Sequence, residues 1–214
     1  MLGGVTSLSQ SERARLCDTA LAVGADAPTL CGGWTVKDLL VHLAVRDGDP
    51  LGAPGIVLKP LAGFTERATK RLGRESLDAL VRRVRRPPPW SPYRIAPVDR
   101  AINTLEYYVH HEDIRRAASR WEQRTLTPGE QGAIWKTIGF LGRGLVRPAG
   151  VPVQIRWAGS ERKATLSSGD DPVTVTGLPG EVVMFLFGRE QTVGLAFEGP
   201  PETVVRLREA SLGL

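Results

Sequence analysis

The chain has 214 residues, 42% apolar and 24% charged, which suits one large or two small globular domains with room for a core. Its net charge of +5 is uneven: residues 1–150 carry 22 Lys+Arg against 15 Asp+Glu, and residues 151–214 carry 6 against 8. No run approaches the ~20 apolar residues of a membrane span, and Met1-Leu2-Gly3-Gly4-Val5 lacks a basic region followed by an apolar run, so a cytoplasmic location without a membrane partner is expected.

The first 150 residues read as helices. Ser9 with Glu12 three residues on resembles a capping box and predicts a helix over about 13–24. Thr35 with Asp38 is a second such start. It opens a helix whose Val36, Leu39, Leu40 and Leu43 form one apolar stripe, bordered by His42. Gly and Pro between Asp47 and Ile56 predict a loop. Helices over about 60–72 and 77–86 follow, the latter started by Ser76. Pro87-Pro88-Pro89-Trp90-Ser91-Pro92-Tyr93 predicts a stiff, non-helical connection. The longest helical pattern, about 98–119, carries Ile102, Leu105, Val109, Ile114 and Ala117. Thr127-Pro128-Gly129-Glu130 combines a cap, a proline at the first helical position and an acid three residues after the cap, predicting a helix to about Leu145.

The texture changes at Arg147-Pro148-Ala149-Gly150. Residues 151–157 and 173–176 alternate with period two, and 163–166 is a shorter strand candidate. Residues 178–188 have helical spacing, 192–197 reads as a strand and 202–210 as a closing helix. That order predicts a small α/β layer with its helices on one face. The expected division is a helical domain over 1–147 and an α/β domain over 148–214.

Arginine outnumbers lysine 23 to 5. The run Arg82-Arg83-Val84-Arg85-Arg86 lies at a helix C-terminus, where cations offset the helix dipole, and no aromatic residue interleaves it. Nucleic acid is therefore not an expected partner. Cys17 and Cys31 form no CxxC pattern; the expectation is two reduced thiols serving as small buried side chains.

The three histidines fall in two of the helices. Glu106 and His110 are four apart and share a helical face. His42, from another helix, completes a His–Glu–His set. Three protein ligands leave a coordination position open, as in catalytic rather than structural zinc sites. His111 points about 100° away from His110 and cannot easily join it on one metal; it is expected to flank the pocket or cap a neighbour. Asp113 can orient His110 or pair with Arg116; Asp38 can orient His42 or cap with Thr35. The bland alternative makes His42 a hydrogen-bonded core residue and Glu106 a surface partner of Arg100 or Arg116.

Gly33-Trp34-Thr35-Val36-Lys37-Asp38-Leu39-Leu40-Val41-His42-Leu43 resembles the second-helix motif of the DinB-like, mycothiol-dependent maleylpyruvate isomerase superfamily. Glu106-Tyr107-Tyr108-Val109-His110-His111-Glu112-Asp113-Ile114 resembles its ExxxHxxD[IL] motif. Val175-Thr176-Gly177-Leu178-Pro179-Gly180-Glu181 and Leu186-Phe187-Gly188-Arg189 resemble its sterol-carrier-like C-terminal domain. The resemblance implies an α+β protein: a DinB-like four-helix bundle followed by a small sterol-carrier-like α/β domain. It implies a divalent metal, usually zinc, on His42, Glu106 and His110. It further implies a low-molecular-weight thiol such as mycothiol, and a small electrophile that is isomerised or takes up the thiol. The function expected is thus a thiol-dependent transferase or isomerase. The alternatives are a non-catalytic metal-binding protein and a metal-free carrier of a small ligand.

Overall fold

The structure, a computed structural model, describes residues 6–213. It is mixed α+β, and the chain divides into two compact units, one ending at Glu122 and the other beginning at Gln123.

The first unit contains α1 (Leu8–Val23), α2 (Val36–Gly48), a single turn α3 (Gly52–Gly55), α4 (Ala62–Leu72), α5 (Leu77–Arg85) and α6 (Ala96–Arg116). α1 packs along α6 and α5, while α2 packs against α5 and α4. The shared core is aliphatic: Leu16, Leu39, Leu40, Leu43, Leu80 and Val84 are fully enclosed. Thr35 and Asp38 form the expected capping box, and Ser76 caps α5. The first cap differs. Ser7 and Gln10 form the box, and the helix starts at Leu8. Ser9 instead turns inward and donates to Asp99, and the buried Glu12 meets His111. A serine–glutamate pair scans as a cap by spacing, but here both side chains are held by partners on α6.

α6 carries more buried polarity than its apolar pattern predicts. Asp99, Asn103, Thr104, His111, Glu112, Asp113 and Arg116 are buried, whereas Ile102 is exposed. A network at the centre of the unit explains part of this. The Arg13 guanidinium donates to Asp99 at 2.7 Å and reaches Asp47 at 3.4 Å. Tyr107 donates its hydroxyl to Asp47, and Asn103 its amide to Asp99. These bonds tie α1, α2 and α6 together, and α2 and α6 carry the residues discussed below.

The second unit contains α7 (Pro128–Val146), β1 (Val153–Trp157), β2 (Lys163–Ser167), β3 (Val173–Gly177), α8 (Pro179–Leu186), β4 (Ala196–Glu198) and α9 (Pro201–Glu209). The element order is the expected one. The sheet runs β2-β1-β3-β4, with β1 antiparallel to β2, parallel to β3, and β3 antiparallel to β4. Val153, Ile155, Val173 and Val175 alternate inward. The helix over 128–146 joins this unit, so the compact division falls at 122/123 and not at 147/148. The reason is local packing. Gln131 accepts from the Gly180 backbone amide at the start of α8. Gly142 lets Leu166 of β2 come so close that a Cβ there would stand 2.8 Å from its methyl carbon.

Candidate metal centre

The α2 capping box sets where that helix begins, and His42 follows two turns in. Leu39, Leu40 and Leu43 face the core, which leaves His42 on the flank of the stripe. On α6, the spacing of four puts Glu106 and His110 side by side. The structure brings all three together. Glu106 Oε1 lies 3.5 Å from His42 Nε2 and 3.3 Å from His110 Nε2. The ligand atoms all fall within 4.8 Å of one another. The side chains are 21%, 17% and 14% exposed for His42, Glu106 and His110, enclosed but reachable from outside.

These separations suit a metal. Nitrogen and oxygen ligands stand ~2.0–2.2 Å from zinc in tetrahedral geometry, which separates neighbouring ligand atoms by roughly 3.3–3.5 Å. A second group of donors, Cys31, His110 and Asp113, is also close. Its separations are different in kind. Asp113 Oδ2 is 2.9 Å from His110 Nδ1 and 3.0 Å from Cys31 Sγ. Those are hydrogen-bond lengths, too short for two ligands of one zinc ion. The residues present therefore fit one cation on His42, Glu106 and His110, with Asp113 and Cys31 behind it.

A carboxylate only accepts, so Nδ1 of His110 carries the proton that it shares with Asp113. Its Nε2 is thereby turned toward Glu106. Burial works against a charged His110. The hydrogen bonds to Asp113, Cys31 and Glu106, with the Glu106 charge, outweigh burial and hold the ring well above the usual histidine range. Burial likewise pushes Glu106 up, but hydrogen bonds from His110 and His42 and the charges of His110 and Arg46 hold it well below the usual carboxylate range. The pair thus favours a positive charge between its acidic groups.

Asp113 is fully buried and faces His110, so of its two sequence readings the orienting one fits the geometry. Arg116 is occupied by Glu112 at 2.6 Å. Asp38 caps α2 with Thr35. His111 lies off the site: Nδ1 meets Glu12 at 2.8 Å and Nε2 meets Thr19 at 3.0 Å, so it ties α6 to α1. Glu106 pairs with neither Arg100 nor Arg116 but with Arg46, whose Nε stands 3.1 Å from Oε1.

Two further residues, Arg46 and Cys31, stand at the centre. Arg46 is four after His42, the spacing that pairs Glu106 with His110, so helical periodicity could have found it. Its guanidinium also reaches Asp47 and Asn103 and lies over the Tyr93 ring. Cys31 departs from the small buried apolar side chain that the sequence predicts. It is half-buried and donates to Asp113, and its Sγ is 3.7 Å from His110 Nδ1. No local spacing links position 31 to 110; only the fold does. A cavity of about 220 Å³ elsewhere in this unit is lined by Arg13, Arg85, Tyr93, Arg94 and Asp99 among others, and none of the three candidate ligands borders it.

No protein-family model matches the sequence, and no curated protein matches it significantly. Solved structures do. The chain is similar to the crystal structure of the mycothiol-dependent maleylpyruvate isomerase, with a TM-score of 0.56 and 14% identity over 89% of this chain and 90% of that one. A histidine-to-alanine mutant of the isomerase matches with a TM-score of 0.58 at the same identity and coverage. At this identity the likeness concerns the fold. The chain shares the fold of the mycothiol-dependent maleylpyruvate isomerase, whose superfamily its two histidine-bearing motifs resemble.

Proposed function

We propose that this protein is a metal-dependent enzyme that uses a low-molecular-weight thiol, with mycothiol the first choice, in an isomerase or transferase reaction on a small electrophile. The observation that carries this reading is the convergence of His42, Glu106 and His110 at metal-ligand separations in a chain with the isomerase fold. The finer fold assignment belongs to the same reading: the first unit is a DinB-like four-helix bundle, built on α1, α2, α5 and α6, and the second is sterol-carrier-like.

His42 and His110 contribute neutral Nε2 atoms, and Glu106 the single carboxylate. A divalent cation held there, zinc by the preference of two imidazoles and a carboxylate, retains a charge of about +1 and favours a thiol as its thiolate at neutral pH. Asp113 keeps the His110 proton on Nδ1, which leaves Nε2 to face the centre. Arg46 restrains Glu106 with its Nε 3.1 Å from Oε1 and brings beside the ligands a guanidinium that could meet a carboxylate of an incoming molecule. Trp34 stands with its ring centroid 5.2 Å from that of His42 and shields that ligand on one side. The partners are accordingly a thiol and a small molecule. Among the described residues no helix is long and apolar enough to cross a membrane.

The test is metal analysis of protein equilibrated with zinc, then calorimetry with mycothiol. One tightly held zinc per chain and mycothiol binding that requires it are expected. Absence of stoichiometric zinc, or zinc binding unchanged in His42→Ala, overturns the metal centre. Stoichiometric zinc with no mycothiol binding overturns the thiol.

A further inference from the structure

The segment between α1 and α2 folds as a compact loop. Its Thr29 and Trp34 are joined by a backbone hydrogen bond, and Gly32 and Gly33 have φ of +27° and +81°, the left-handed region that glycine enters readily. Its backbone is fastened to α6. The Leu30 amide donates to the Asp113 carbonyl at 3.1 Å, satisfying one of the terminal carbonyls of that helix. From this loop two side chains reach the centre. Trp34 lies against His42, and Cys31 donates to the same Asp113 oxygen that holds His110.

We propose that Cys31 is a positioning residue of the metal centre: its thiol holds the Asp113 carboxylate where that carboxylate fixes the His110 ring with Nε2 toward Glu106 and His42. Three observations meet here. Asp113 is fully buried, so its carboxylate needs hydrogen-bond donors at defined places. Cys31 Sγ and His110 Nδ1 converge on one oxygen, at 3.0 and 2.9 Å. The backbone of the residue before Cys31 is pinned to Asp113, which holds the Cys31 backbone beside that carboxylate. Cys31 acts through Asp113 and His110: its thiol donates to Asp113, and the ligand atoms that lie within 4.8 Å of one another at the centre are those of His42, Glu106 and His110, without Cys31.

The inference rests on the metal centre proposed above, and two measurements keep the two apart. Zinc affinity is measured by chelator competition for wild type, Cys31→Ser and Cys31→Ala, alongside the melting temperature of each metal-free protein. The downfield Nδ1 proton of His110 is followed by NMR in the metal-free proteins. Removing partners behind metal ligands typically weakens binding 10–100-fold. Cys31→Ala is expected to weaken zinc about 10-fold or more and to broaden or abolish the Nδ1 proton signal, with the metal-free melting temperature little changed. Cys31→Ser, which keeps a donor, restores affinity to within about threefold of wild type. Wild-type zinc affinity in Cys31→Ala, or an unaltered Nδ1 proton, overturns the positioning role. If wild type takes up no zinc, the metal centre fails, and the proton signal alone decides whether Cys31 holds Asp113.

Discussion

Replacing Arg13 with methionine tests how the helices that carry the metal centre are held together. The Arg13 side chain is 8% exposed and bridges Asp99 at 2.7 Å and Asp47 at 3.4 Å, both themselves buried. Methionine keeps much of the volume and removes the charge. Breaking a buried pair from one side typically costs ~3–5 kcal/mol, because the other charge stays buried. Here both carboxylates keep other donors. Asp47 retains Arg46 and the Tyr107 hydroxyl, and Asp99 retains Ser9 and Asn103. The low end, about 3 kcal/mol, is therefore expected, a large part of the ~5–15 kcal/mol of a typical domain. Urea unfolding of the metal-free protein measures it. The pH dependence is the sharper check. Burial already pushes Asp47 above the usual aspartate range, against the Arg13 charge that lowers it, so loss of Arg13 raises it further. A carboxylate whose folded pKa is raised binds more protons in the folded than in the unfolded chain between the two values. Stability of the variant relative to wild type must then recover as pH falls from 7 toward 5. Adding Asp99→Asn, which removes one stranded charge, recovers about 2 kcal/mol at pH 7. A loss below about 1 kcal/mol, or one equal at pH 5 and pH 7, refutes the reasoning.

His42→Ala removes one of three ligands. With ~10–16 kcal/mol for a four-ligand zinc site, each ligand represents roughly 3 kcal/mol, so zinc should bind about 100-fold more weakly. The metal-free melting temperature should hardly move, because the side chain is partly exposed; an equal drop in both quantities would argue for a core histidine instead. Cys17 is fully enclosed, and burial pushes its thiol up to about 11 from 9.0. The unfolded chain loses this proton first, so wild type should lose about 2–3 kcal/mol of stability between pH 9 and pH 11 that Cys17→Ala does not lose. Parallel pH–stability curves for the two proteins would contradict that account. Thr35→Ala deletes the α2 cap and should cost about 1 kcal/mol by urea unfolding; no measurable cost would mean that the capping box contributes nothing there.

Much of this protein could be read locally. Capping signals at Thr35, Ser76 and Thr127 mark real helix starts, because a cap depends on residues three apart in the chain. Strand alternation over 153–157 and 173–177 survives for the same reason. The pairing of Glu106 with His110 follows from the helical repeat alone. Where local spacing misleads, a distant partner intervenes. Ser9 and Glu12 have the spacing of a cap, but Asp99 and His111 claim them from some ninety residues away. The helix over 128–146 looks like its helical predecessors, yet the sheet beside Leu166 and the start of α8 at Gly180 bind it to the second unit. At the centre, sequence alone nominated His42, Glu106 and His110. Arg46 shares the His42 face of α2 by the same helical repeat, but only the tertiary structure set Cys31 against Asp113, because a hydrogen bond across 82 residues leaves no period in the chain; it exists only once the loop before α2 has been fastened to α6.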